Sequence, residues 1–203
     1  DYEIRDNYVY AVSDRKKLEQ EMKALEKIGF HAELCSHPAL PFPTAGAVKF
    51  PNQAQFHPLK FVAAIAEDLP VYEHTFVREM RGNTAVTDSG SIQAGQVIIT
   101  THFPFLNEHG SYFLKLYQHR SYVLALEHAQ NLDGMYVDEN RKGLSFRNYG
   151  DYLLLGGGGH RTGKQGGNWS ELRRFAQQYY PKAQEYCHWA AQDCMSLDEM
   201  PYI

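Results

Sequence analysis

The chain has 203 residues, 43% of them hydrophobic and 22% charged, with a formal net charge of −4. That mix suits an ordinary globular fold of one domain or two small ones. It offers no basic stripe for nucleic-acid phosphates, and no apolar run approaches the ~20 residues that a membrane-spanning helix needs.

Three cysteines, Cys35, Cys187 and Cys194, are too few and too scattered for a disulfide framework. They read as reduced thiols, which points to the cytoplasm. Neither CxxC nor HExxH occurs, so no metal site is expected. The chain opens Asp1-Tyr2-Glu3, without an initiator Met or a signal-like start. It therefore reads as a trimmed piece.

In chain order, residues 4–12 carry Tyr8, Val9, Tyr10 and Val12 and look extended. Ser13 or Asp14 caps a helix whose apolar residues Leu18, Met22, Leu25 and Ile28 recur at helical spacing, with Gly29 as a stop. Pro38, Pro41 and Pro43 make a loop, and Ala47 to Phe50 form a short strand. His57-Pro58 opens a second helix, with proline tolerated in the first turn and Leu59, Val62, Ala63 and Ala66 on its buried face. Val71 to Val77 reads as a strand, and a hairpin follows near Asp88-Ser89-Gly90. Val97 to Thr100 is a continuous apolar run, the pattern of a strand buried on both faces.

Four strands are predicted next, at 117–126, 134–137, 144–147 and 152–155. Asn148-Tyr149-Gly150-Asp151 supplies a hairpin turn between the last two. The glycine-rich stretch 156–167 is expected to be loop. Ser170 caps a third helix with Leu172, Phe175, Ala176 and Tyr179 on its apolar face, and Pro181 stops it.

The run Gly158 to Lys164 spells G-x-x-x-x-G-K, most of a phosphate-binding loop. Gln165 stands where a magnesium-binding hydroxyl belongs, and Gln165-Gly166-Gly167-Asn168 is a poor helix start. A strand end that must approach another flat object closely is the better reading.

Five motifs then fall in order. They are Gln55-Phe56-His57-Pro58-Leu59-Lys60, Glu73-His74-Thr75-Phe76-Val77, Ala94 to His102, Leu144 to Arg147 with Tyr152 to Gly158, and Leu197-Asp198-Glu199-Met200-Pro201-Tyr202-Ile203. Together they resemble the FAD-dependent oxidoreductases of the D-amino-acid-oxidase superfamily, which includes glycine, sarcosine and gamma-glutamylputrescine oxidases. The third is similar to a strand end A-x-x-V-V-x-A-T-G, with His102 in the glycine position. The last is similar to T-x-D-G-x-P-x-I-G, with Glu199 in place of a glycine. The family's leading G-x-G-x-x-G is not among these residues.

The resemblance implies an α+β fold, α/β in the cofactor part. A truncated FAD/NAD(P)-binding domain would accompany a substrate domain with a mainly antiparallel sheet flanked by helices. Residues 1–57 and 104–189 would form the substrate domain; 58–103 and the closing 190–203 would belong to the FAD part. It further implies FAD in the full-length protein and its absence from this piece. The substrate would be a small-molecule amine or amino acid, and the partner a further redox domain or electron acceptor, a Rieske domain in some relatives. The piece alone is expected to be inactive.

Cofactor contacts are expected from Val77 at the adenine end, from Thr100, Thr101 and His102, and from Asp198 and Pro201. Substrate contacts are expected from Arg147, whose planar guanidinium suits a carboxylate, and from Tyr122 and Gly157. For Tyr122 the core reading is favoured, since a tyrosine on a strand commonly buries its ring. His102, His119 and His160 sit nearest this set and read as solvated or core histidines. The catalytic residues are not identifiable. Two other readings stand beside this one: a non-enzymatic interaction module sharing the substrate-domain sheet, and a P-loop-like nucleotide-binding protein.

Overall fold

A computed structural model describes residues 2–105, 110–198 and 200. The chain divides into two compact units, Phe56–Tyr112 and Tyr2–Gln55 with the chain from Phe113 onward.

The larger unit is built on an eight-stranded sheet. Its strands are β1 (Tyr2–Ala11), β2 (Glu33–Cys35), β3 (Gly46–Phe56), β7 (Leu116–Glu127), β8 (Met135–Asp138), β9 (Ser145–Tyr149), β10 (Tyr152–Arg161) and β11 (Gln184–Ser196), in the order β11-β7-β10-β9-β8-β1-β3-β2. β1 and β8 run parallel, with Tyr8 opposite Tyr136. The pairs β7–β10, β9–β10, β7–β11, β8–β9 and β2–β3 are antiparallel. The expected mixed α+β architecture with a mainly antiparallel sheet is present.

Two helices flank this sheet. In α1 (Arg15–Lys27), Asp14 Oδ1 accepts from Lys16 N at 3.0 Å, and Leu18 and Leu25 are buried. They pack with Ala11 and Val48 in a small core. α4 (Asn168–Tyr179) buries Leu172 and Ala176 in the main core, with Tyr10, Leu124, Phe146, Leu153 and Leu155. Adjacent Tyr10 and Ala11 enter different cores because successive side chains on a strand leave by opposite faces. An aromatic cluster seals the α4 side. Phe42 lies 5.7 Å from Tyr10, 5.8 Å from Phe146 and 5.3 Å from Phe175, ring centre to ring centre.

Several sequence expectations need correction. The glycine stretch is not all loop: β10 continues through Gly159 to Arg161, with its register against β7 shifted between Gly157 and His160. Small residues let the strand run tightly against its neighbours. A Cβ on Gly158 would stand 2.6 Å from the Asn168 carbonyl oxygen, and φ there is +62°. α4 starts at Asn168 rather than behind a Ser170 cap, and Asn168 Oδ1 instead accepts from Ser170 N at 2.9 Å. β11 was not foreseen. It is an edge strand with much of its surface in solvent, so its sequence lacks the apolar alternation that marks a half-buried strand. The expected start of a closing cofactor segment at residue 190 falls inside it.

The smaller unit contains α2 (Pro58–Ala66) and a three-stranded sheet of β4 (Val77–Arg81), β5 (Thr84–Thr87) and β6 (Gly90–Gln93). The foreseen hairpin at residues 88–90 is the β5–β6 turn. The strand expected over 71–77 begins only at Val77. His74 adopts φ +52°, which breaks the extended run. The apolar face expected to bury α2 does not do so: Leu59 is 76% and Val62 53% exposed. Residues 97–100 form no strand, and Ile98 is 85% exposed. A strand buried on two faces needs hydrogen-bonding neighbours, and no strand among the described residues pairs with this run. A four-residue helix, α3 (Tyr112–Lys115), was likewise not foreseen.

An ion pair ties α4 to the sheet. Arg173 donates to both Glu185 oxygens at 2.7 and 2.8 Å and holds the Glu185 carboxyl below its usual range. A depressed folded-state value contributes stability above the unfolded carboxylate pKa, and that contribution is lost as pH falls through the folded value. Arg173→Ala is therefore expected to lower the melting temperature at neutral pH and to have little effect in acid. Equal losses at both ends of the titration would remove this role.

Candidate functional site

The register of the large sheet sorts the expected substrate residues by face. Paired residues on neighbouring antiparallel strands share a face. Phe146 pairs with Leu155, Leu155 with Leu124, and Gly157 with Tyr122. This row faces α4 and the main core. Arg147 pairs with Leu154, and Leu154 with Ala125, so Arg147 belongs to the opposite face. The sheet thus separates Arg147 from Tyr122 and Gly157.

Tyr122 is 7% exposed and is a core residue. Its hydroxyl lies 3.0 Å from His160 Nε2, and its ring meets Trp169 edge-on at 4.8 Å. His160 Nδ1 lies 3.1 Å from the Arg161 carbonyl. If Nδ1–H donates to that carbonyl, Nε2 is left to accept from the tyrosine. The Cβ position of Gly157 is filled by Leu144 Cδ2. The close approach foreseen for these glycines is therefore made by the protein itself: by Leu144 at Gly157, by Asn168 at Gly158 and by His119 at Gly159. The G-x-x-x-x-G-K run lacks the phosphate-loop placement, because Gly158 to Arg161 lie within β10 and Lys164 stands four residues before α4 rather than at its start.

Arg147 is half-buried, and its guanidinium makes no hydrogen bond among the described residues. Its charge helps hold the Glu3 carboxyl below the usual range, behind the larger effects of the Gln55 hydrogen bond and Arg5. Gln55 is 8% exposed; its Nε2 donates to Glu3 Oε2 at 2.9 Å and to the Asn148 carbonyl at 3.0 Å. The sequence pointed to Arg147 but to neither Glu3 nor Gln55. They come from β1 and β3, far away along the chain, and carry no local signal. Elsewhere on the Arg147 face, Trp189 and Val137 are each 41% exposed, and Asp193 Oδ2 accepts from Ser121 Oγ at 3.4 Å. Two concavities in this unit, about 540 Å³ beside α1 and about 210 Å³ under α4, contain none of the expected site residues.

The expected cofactor residues of the smaller unit lie at a strand start and a chain turn. Val77 opens β4 opposite Thr87. Thr100 and Thr101 are exposed. Thr101 Oγ1 donates to the Phe103 carbonyl at 3.2 Å, and Phe103 N donates to the Thr101 carbonyl at 2.6 Å. Between them His102 has φ +61°, the left-handed backbone a glycine would adopt most easily. In the larger unit, Asp198 Oδ1 accepts from Met200 N at 3.2 Å, the bond of an Asx turn. Pro201 lies outside the described residues.

No helix among the described residues is long and apolar enough to cross a membrane. The family model for FAD dependent oxidoreductases (DAO) matches residues 1–203. The Bacillus subtilis protein YhfW, described as a Rieske 2Fe-2S iron-sulfur protein, is 27% identical over 98% of this chain and 43% of its own length. Among solved structures, glycine oxidase from Geobacillus kaustophilus superposes with TM-score 0.80 at 18% identity, over 99% of this chain and 62% of its own. L-Amino acid deaminase from Proteus myxofaciens, in complex with anthranilate, superposes with TM-score 0.73 at 16% identity, over 100% of this chain and 65% of its own. This sequence spans about half to two thirds of these proteins. On the family match and the shared fold, the chain belongs to the DAO family of FAD-dependent oxidoreductases.

Proposed function

We propose that the whole protein is an FAD-dependent oxidoreductase that oxidises a C–N bond of a small amine or amino acid, and that this chain supplies its substrate-binding sheet. The observation that carries this reading is Arg147. It is a half-buried guanidinium with no hydrogen-bond partner among the described residues, on the sheet face away from α4, in a fold shared with glycine oxidase. A planar cation so placed takes a carboxylate through two parallel hydrogen bonds.

FAD, when bound, supplies the hydride acceptor. Thr100, Thr101 and His102 are the residues of the smaller unit proposed to hold it, with Val77 at its adenine end; Asp198 in the larger unit, and Pro201 outside the described residues, are the further cofactor contacts proposed. The exposed hydroxyls and the left-handed turn at His102 support that assignment. Arg147 orients the substrate, and Glu3 and Gln55 fix the polar surroundings of its guanidinium. Tyr122 and Gly157 act from the other side of the sheet by keeping β10 and β7 packed. The iron–sulfur description of YhfW supports a further redox domain or partner as electron acceptor.

The full-length protein is expected to purify with flavin absorbance in the visible. Anaerobic addition of glycine, L-proline or iminodiacetate should bleach that band for whichever is a substrate. A colourless full-length protein that does not take up added FAD would overturn the proposal.

A further inference from the structure

Gln55 carries an unmet bonding need in a place where burial makes that need costly. The side chain is 8% exposed, and its Oε1 is buried with no hydrogen-bond partner. The amide cannot be turned to relieve this, because both groups facing Nε2 are acceptors: Glu3 Oε2 at 2.9 Å and the Asn148 carbonyl at 3.0 Å. Both acceptors are linked to Arg147. Asn148 is the next residue along β9, and Glu3 is a carboxylate within electrostatic reach of the guanidinium. Arg147 has unused donors, and Gln55 Oε1 is an unused acceptor.

We propose that Gln55 is a positioning residue for Arg147. Its amide ties the backbone beside Arg147 to Glu3, and its free Oε1 is the acceptor that steadies the guanidinium when a carboxylate-bearing ligand engages it. Glu3 also faces Arg5, whose Nε lies 3.5 Å from Glu3 Oε2, so its charge is shared between two guanidinium groups. This rests on the reading of Arg147 given above.

The test uses the full-length, flavin-loaded protein and isothermal titration with two probes, anthranilate and its carboxylate-free counterpart aniline. Gln55→Met keeps the volume and removes the amide; Gln55→Asn keeps the amide but is too short to reach both acceptors. Both are expected to weaken anthranilate binding about tenfold, the effect of losing roughly one hydrogen bond, and to leave aniline unchanged. Combined with Arg147→Ala, neither should weaken anthranilate further, since the two residues act as one unit.

Wild-type anthranilate affinity in Gln55→Asn, with affinity lost in Arg147→Ala, would overturn the positioning role while leaving the Arg147 assignment intact. Equal losses for both probes, or additive losses in the double variant, would reduce Gln55 to a structural residue. Unchanged binding in Arg147→Ala would sink the assignment of Arg147 and the inference with it. If Gln55→Met does not fold, the Gln55→Asn titrations decide.

Discussion

Phe146→Ala is expected to cost about 3–5 kcal/mol, the range for truncating a fully buried aromatic ring. Phe146 is 1% exposed on β9 and lies between elements distant in sequence. Its ring centre is 6.2 Å from Tyr10 on β1, 5.8 Å from Phe42 in the loop before β3, and 5.6 Å from Phe175 on α4. No single neighbour can move into the space without breaking its own contacts, so the cavity stays open. For a chain of this size the loss corresponds to a fall of about 6–20 °C in the melting transition that reports on the large sheet. Phe146→Leu should recover much of it. A melting temperature within a few degrees of wild type for Phe146→Ala would show that the aromatic cluster repacks and does not hold sheet and helix together.

The second large effect concerns binding. Arg147→Ala in the full-length enzyme is expected to raise KM for a carboxylate-bearing substrate about 10- to 100-fold. Hydrogen bonds to charged groups contribute about 1.5–3 kcal/mol, and 1.4 kcal/mol is a factor of ten. Arg147→Lys should recover only part, because an ammonium keeps the charge and loses the planar fork. An amine without a carboxylate should be affected little. Unchanged KM for the carboxylate substrate would remove Arg147 from substrate recognition.

Local order was well legible in the sequence. The amphipathic spacing of Leu18 and Leu25 marked α1, and Asp14 marked its cap. His57-Pro58 marked the start of α2, where His57 Nδ1 accepts from Lys60 N at 3.3 Å. Gly150-Asp151 marked the β9–β10 turn. These signals lie within a few residues of the structure they specify. Two readings missed for a shared reason. Val97 to Thr100 and the α2 face were read from apolarity, which records that a segment needs burial but not which neighbour supplies it; both are exposed among the described residues. β11 had the opposite problem, since it holds its place through backbone pairing with β7 while most of its side chains stay exposed.

The sequence by itself determined the local conformations and the order of motifs, and with them the family. It also singled out Arg147, because the family that the motifs resemble implies a carboxylate-binding arginine on that hairpin strand. Only the tertiary structure decided which face each residue occupies. Strand side chains alternate every residue, so the pairing of β9, β10 and β7 alone placed Arg147 on one side of the sheet and Tyr122 and Gly157 on the other. It also brought Glu3 and Gln55 to Arg147 across gaps of more than ninety residues. Contacts of that range are made by packing and hydrogen bonding between elements, and no local pattern encodes them.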